Sequence, residues 1–81
     1  MKVEVNFFSY FRELTGCSQV EIELPQGSTI VMLLEKLYSL YPKLSPLGNS
    51  TLIAVGVEYA GKSHVLRELD KVSLFPPVQG G

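Results

Sequence analysis

Polar and apolar residues alternate in three segments of the chain, and each alternation predicts a half-buried strand. The segments are residues 2–8, 19–24 and 71–75, whose inward positions are taken by Val, Ile, Leu or Phe. The second strand is expected to run antiparallel to the first. A nearly continuous apolar run at 51–57 is typical of a strand placed centrally in a sheet and covered on at least one face. Residues 58–63 predict a turn with at most a short strand, with Gly61 at the bend.

Apolar residues at three- and four-residue spacing predict one long helix over 29–41. Ser28 or Thr29 is the expected N-cap, and Pro42 ends the helix because the residue before a proline avoids helical angles. A short helix over 10–15 is predicted with Ser9 as its N-cap, and residues 42–50 are expected to form a loop. The apolar stripe of the long helix comprises Ile30, Leu33, Leu34, Leu37 and Tyr41.

One amphipathic helix among several strands indicates an α+β fold, because helix and sheet each have an apolar face to bury. The element order predicts a ubiquitin-like β-grasp: a mixed sheet of four to five strands with one long helix across one face. The expected division is a β-grasp domain at 1–75 and an extended tail at 76–81.

Composition excludes several classes of function. The 81 residues have a net charge of −1 and no cluster of Lys or Arg, so no nucleic-acid partner is expected. No apolar stretch approaches the roughly 20 residues that cross a bilayer, and charges interrupt the N-terminus where a signal peptide would be apolar. A cytoplasmic protein is therefore expected. The single Cys17 and single His64 allow neither an internal disulfide nor a Cys-His zinc site.

Candidate chemistry lies at Gly80-Gly81. His64 has no nucleophile motif near it, and the glycines form no phosphate-binding pattern. Pro76-Pro77 stiffen the segment after the last strand, so an extended tail ending in two residues without side chains can enter a narrow tunnel. Its reactive group would be the terminal carboxyl of Gly81. A carboxylate is a poor acyl donor, so it must first be activated, most simply as an acyl-adenylate that sulfide converts to a thiocarboxylate.

Four short motifs resemble the small-subunit family of molybdopterin synthase. They are Asn6-Phe7-Phe8, Phe11-Arg12-Glu13-Leu14-Thr15-Gly16, Asp70-Lys71-Val72 and Phe75-Pro76-Pro77-Val78-Gln79-Gly80-Gly81. The resemblance implies that Gly81 bears the sulfur and that Gly80 is its slender neighbour. It also implies that the chain binds no cofactor by itself and acts as a cosubstrate, because an E1-like partner uses ATP to adenylate the tail.

Further expectations concern the assembly. In that family the tail enters a large subunit, which holds the catalytic residues, in a tetramer of two small and two large subunits. Two successive sulfurs convert a cyclic pyranopterin phosphate into the molybdopterin dithiolene. The predicted docking patch at the base of the tail comprises Phe8, Tyr59 and Phe75, with Arg12 at its rim. An equally weighted alternative is that Phe8 and Phe75 belong to the core.

Two positions depart from the family pattern, since Gly56 replaces an expected asparagine and Leu69 an expected glycine. Three other functions remain open from sequence. The chain could be another ubiquitin-like sulfur carrier, for the thiazole of thiamin or for transfer RNA thiolation. It could be a ubiquitin-like protein modifier joined to lysines, or an interaction domain with an incidental Gly-Gly.

Overall fold

The computed structural model describes residues 1–77, and five strands, two α-helices and a 3-10 helix are found there. In chain order they are β1 (Lys2–Phe7), α1 (Phe11–Thr15), β2 (Gln19–Glu23), α2 (Ile30–Leu40), the 3-10 helix (Pro42–Ser50), β3 (Leu52–Val55), β4 (Glu58–Tyr59) and β5 (Lys71–Phe75).

The strands form one mixed sheet in the order β2-β1-β5-β3-β4. The first and last strands, β1 and β5, pair in parallel, and the other three pairs are antiparallel. The predicted mixed sheet and the antiparallel first hairpin are therefore confirmed. β3 is an internal strand as expected, but the middle of the sheet is β5.

The core lies between α2 and one face of the sheet, as the apolar stripe predicted. Four stripe residues are buried together with inward residues of the strands: Ile30, Leu33, Leu34, Leu37, Val3, Val5, Phe7, Ile22, Ile53, Val72 and Leu74. The last stripe residue, Tyr41, is half-buried and meets Phe7 edge-to-face at 5.7 Å between ring centroids. At 11 residues, or about three turns, α2 is shorter than the predicted long helix.

Two local predictions about helices are wrong. Residues 42–50 form a 3-10 helix rather than a loop; it begins at Pro42, where a proline lacks only a hydrogen bond that a helix start leaves unmade. Burial of Leu44 in the core holds this segment in place. Ser9 is not an N-cap, because it has a left-handed φ of 54° and α1 begins at Phe11 after Tyr10.

The start of α2 is stabilised differently from the prediction. Thr29 occupies the N-cap position, but its side chain makes no capping hydrogen bond. The buried hydroxyl of Ser28 donates instead to the Pro25 carbonyl at 2.7 Å, which closes the preceding turn. The amide of Ile30 donates to the His64 carbonyl at 3.0 Å, so the helix start is tied to the loop between β4 and β5.

Positive φ angles are found where β3 ends and just before β5 begins. Gly56 has φ 63° and opens a two-residue turn to β4, so β3 ends at Val55 rather than at 57. The turn predicted at 58–63 is also present after β4, and a hydrogen bond from the His64 amide to the Gly61 carbonyl at 3.1 Å closes it. Leu69, just before β5, also has a left-handed φ, of 67°. Both departures from the family pattern therefore lie at left-handed positions, which glycine and asparagine adopt most readily.

Candidate docking face and tail base

Strand β5 connects the centre of the sheet to the base of the tail. It ends at Phe75, and Pro76 and Pro77, both half-buried, follow it outside any strand. The predicted carrier residues Gly80 and Gly81 lie outside the described residues. The surface at the base of the tail lies within them.

Strand register divides the residues of β5 between two faces. Val72 and Leu74 point into the core, so Ser73 and Phe75 lie on the opposite face, which no helix covers in the described chain. Phe75 lies opposite Leu52 of β3. In the next row, Ser73 lies opposite Ala54, which in turn pairs with Tyr59. The β3, β4 and β5 part of this open face is therefore largely apolar.

The aromatic residues beside the tail are surface residues. The rings of Phe8 and Phe75 stack with centroids 4.7 Å apart and planes inclined by 15°. Phe8 is 40% exposed and Tyr59 77% exposed, whereas a core aromatic would be almost fully covered. Phe75 is half-buried and, like Phe8, lies outside the buried core, so the alternative that both are core residues is wrong. We define the open-face patch as Phe8, Leu52, Tyr59 and Phe75.

A shallow groove runs along this patch. Its volume is about 260 Å³, and its lining includes Ala54, Val57, Tyr59, Ser73 and Phe75. Val57, at the tip of the β3–β4 turn, is fully exposed. An apolar groove bordered by exposed aromatic rings is the kind of surface that binds apolar side chains of a partner protein.

Charged residues occupy the other half of the open face. Glu4 on β1 lies between Glu21 of β2 and Lys71 of β5. The Asn6 amide donates to the Glu4 carboxylate at 3.0 Å, which helps a carboxylate to lie beside another one. This polar half limits the apolar patch to the β3–β4–β5 side, next to the tail.

Arg12, predicted at the rim of the patch, is exposed on α1. Among residues 1–77, its guanidinium makes no hydrogen bond or ion pair that would fix it beside Phe8, Tyr59 or Phe75. The structure therefore brings together the three predicted aromatic residues, and the rim position of Arg12 stays a prediction.

Cys17 and Tyr41 form a partly buried polar contact. The Cys17 thiol is half-buried, 3.8 Å from the Tyr41 hydroxyl. The hydrogen bond with Cys17 and burial together raise the pKa of Tyr41 above its usual value.

Over residues 1–77, no three His, Cys, Asp or Glu side chains group as metal ligands would. Within the same span, no helix is long and apolar enough to cross a membrane.

The sequence contained a signal for Leu52, the patch residue that was missed. Leu52 and its groove neighbour Ala54 belong to the apolar run at 51–57, in which both strand faces carry apolar side chains. A strand of that type is covered on both faces. One face of β3 packs on the core, so its other face is a second apolar surface, and that surface is exposed.

Comparisons with known proteins give consistent relatives. The ThiS family model matches residues 5–81. The molybdopterin synthase sulfur carrier subunit of Arabidopsis thaliana is 30% identical over 81 residues, covering 100% of this chain and 84% of the relative. Among solved structures, SAMP1 from Haloferax volcanii superposes with a TM-score of 0.89 at 24% identity, with both chains fully covered. A complex of subunits 1 and 2 of molybdopterin-converting factor from Helicobacter pylori contains a chain similar to this one, with a TM-score of 0.68, 24% identity and full coverage of both chains.

Proposed function

The chain belongs to the ThiS family, and we propose that it is the sulfur-carrier subunit of a molybdopterin synthase. The observation that carries the proposal is the match, over the whole chain, to a plant relative named as the sulfur carrier subunit of that enzyme. The apolar face beside the tail supports it, because a carrier must dock on a partner while its tail enters the partner's active site.

The proposed chemistry takes place at the Gly81 carboxyl. A carboxylate oxygen attacks the α-phosphorus of ATP on an adenylating partner, and pyrophosphate leaves. A sulfide equivalent then attacks the acyl carbon and displaces AMP, which leaves a thiocarboxylate on Gly81. Its sulfur is a softer nucleophile than oxygen and attacks a side-chain carbon of the pyranopterin precursor, from which an oxygen substituent leaves as its C–O bond breaks. Water then attacks the acyl carbon and breaks the acyl–sulfur bond, so the sulfur stays on the pterin and the tail is released as a carboxylate. Two such deliveries supply both sulfurs of the dithiolene.

In this proposal the partner is a large synthase subunit, as in the Helicobacter pylori complex of subunits 1 and 2. The open-face patch docks on it, and Pro76-Pro77 direct the tail into its active site. Two small subunits bind a dimer of large ones, and the same carrier meets an E1-like enzyme that supplies the adenylate. The chain itself binds no cofactor, and it works in the cytoplasm, where the ATP for its activation is available.

The test is intact mass followed by sulfur transfer. Incubation with the adenylating enzyme, ATP and a sulfide source should replace one oxygen of the chain by sulfur, and the sulfurated chain should form molybdopterin with the large subunit. A C-terminal tag converts the Gly81 carboxyl to an amide, which cannot be adenylated, so both steps should stop until the tag is cleaved.

Two tail variants sharpen this test. Deleting Gly81 leaves a carboxyl about 3.3–3.6 Å short of its active site, and Gly80→Val adds a branched side chain next to it. Both variants should keep the fold and lose transfer. Wild-type molybdopterin formation by the tagged, uncleaved protein would overturn the proposal. Stable isopeptide adducts on lysines, without transfer to the pterin, would instead identify a protein modifier.

A further inference from the structure

The first two residues of the tail lie against the domain rather than in open solvent. Pro76 and Pro77 are half-buried, although no strand includes them. Together with Ser9, Tyr10 and Leu47 they line a cavity of about 280 Å³ that shares no lining residue with the open-face groove. Tyr10 and Leu47 have no part in the predicted docking patch, so their place beside the tail needs a separate explanation.

The turn that carries Tyr10 is bound to β5. The Phe8 amide donates to the Leu74 carbonyl at 3.2 Å, and the Phe8 ring stacks on Phe75. Ser9 then takes a left-handed φ of 54°, a conformation that is unfavourable for a residue with a side chain. The strained turn allows residues 8 and 10 to serve two sides of the tail base: Phe8 stacks on Phe75, and Tyr10 borders the prolines.

Both side chains beside the prolines are anchored. The Tyr10 ring contacts Phe11 at 5.9 Å between centroids, and Phe11 is buried in the core. Leu47 packs against the core from the 3-10 helix, and its carbonyl accepts a hydrogen bond from the Thr51 hydroxyl at 2.8 Å. The cavity wall beside Pro76 and Pro77 is therefore joined to the core through Phe11 and Leu47, while 44% of the Tyr10 surface stays exposed.

A small change of direction at Pro77 has a large effect at Gly81. The four residues after Pro77 span at most about 13–14 Å when extended, so a swing of about 10° moves the far end by about 2 Å. Misplacing reacting atoms by about 1 Å can reduce a rate roughly a hundredfold. Support at Pro76 and Pro77 therefore has leverage on the chemistry at the terminal carboxyl.

We propose that Tyr10 and Leu47 are positioning residues, which fix the direction in which the tail leaves the domain. This inference rests on the proposed carrier function and adds to it. Docking on the open-face patch determines how tightly the partner binds, whereas the Tyr10 and Leu47 wall determines how well the bound tail reaches the reacting atoms.

The experiment measures sulfur transfer from the sulfurated chain to the pyranopterin precursor on the large subunit, with the concentration of carrier varied. Tyr10→Ala and Leu47→Ala should each lower kcat about tenfold or more while KM changes less than about twofold. Tyr10→Phe should restore kcat, because the ring and not the hydroxyl forms the wall. Tyr59→Ala, a truncation in the patch, should show the opposite result, with KM raised and kcat retained.

Two controls keep the result interpretable. Met32→Ala, on the exposed side of α2 with 42% of its surface free, should match wild type in both constants. Pro77→Gly should lower kcat as Tyr10→Ala does, and thermal unfolding of each variant separates loss of fold from loss of direction. A wild-type kcat for Tyr10→Ala and Leu47→Ala, or a rise in KM alone, overturns the positioning role while leaving the carrier function intact. Absence of transfer from the wild-type chain overturns both.

Discussion

Replacing Leu69 by glycine should stabilise the protein. Leu69 has φ 67°, and its side chain is 73% exposed, so it occupies a strained conformation without burying much apolar surface. The left-handed conformation costs a non-glycine residue about 1–2 kcal/mol, whereas the greater freedom of glycine in the unfolded chain costs about 0.4–1 kcal/mol. Taken between the middles of these two ranges, the expected net gain in the free energy of unfolding is about 0.8 kcal/mol.

The backbone around Leu69 should hold its conformation in the variant. Its amide donates to the Lys2 carbonyl at 2.8 Å, and the neighbouring Asp70 carboxylate accepts the Arg67 amide at 2.8 Å. Glycine removes neither bond. The turn precedes β5, whereas the tail follows it, so sulfur transfer should be unaffected.

Urea unfolding of Leu69→Gly and Leu69→Ala provides the measurement. Alanine removes the same exposed side chain but keeps the strained φ, so Leu69→Ala should stay within about 0.5 kcal/mol of wild type. Leu69→Gly should raise the urea midpoint at an unchanged m-value, and its melting temperature by about 2–8 °C. A glycine variant no more stable than the alanine variant would show that Leu69 stores no backbone strain.

Three further predictions concern the core, the patch and pH. Leu34 is buried on the core side of α2, so Leu34→Ala should lower the free energy of unfolding by about 2–5 kcal/mol in the same assay. An unchanged value would contradict its place in the core. Phe75→Ala should weaken binding to the large subunit by about tenfold or more in calorimetry, with a much smaller loss of stability; equal losses would mean that the ring supports the fold instead. The pKa of Tyr41 is raised, so folding favours its neutral phenol, and stability should fall as pH rises from about 10 through the higher folded-state value. Cys17→Ala removes the main cause, and absorbance titration should find the Tyr41 pKa closer to 10; an unchanged titration would rule out the Cys17 contact.

The periodic part of the sequence predicted the fold well because periodicity reports burial directly. Residues spaced as in the α2 stripe can share one buried face only if they are helical, and alternating residues only if they are extended. The same alternation could have settled the open question at the tail base. With Phe7 and Leu74 pointing inward, Phe8 and Phe75 had to point outward, as the structure shows.

Local signals failed where contacts distant in sequence determine the backbone. Ser9 has the composition of an N-cap, but the hydrogen bond from Phe8 to the Leu74 carbonyl holds this turn against β5, and Ser9 takes a left-handed φ there. Residues 42–50 look like a loop, yet Leu44 reaches the core and the segment becomes a 3-10 helix. Leu74 lies far from Ser9 in sequence, and the core that Leu44 enters is built from elements along the whole described chain, so no short window could have included either.

One strand links the stability of the domain to its proposed delivery of sulfur. β5 is paired on both sides, with β1 and β3, and its inward residues Val72 and Leu74 are almost fully buried. Its end can therefore move little unless the core opens. The next outward residue, Phe75, belongs to the open-face patch, and the residue after it, Pro76, begins the tail. Phe75 ends the strand that is paired on both sides, and the tail follows it directly. A partner bound to the patch therefore meets the base of the tail at a fixed place.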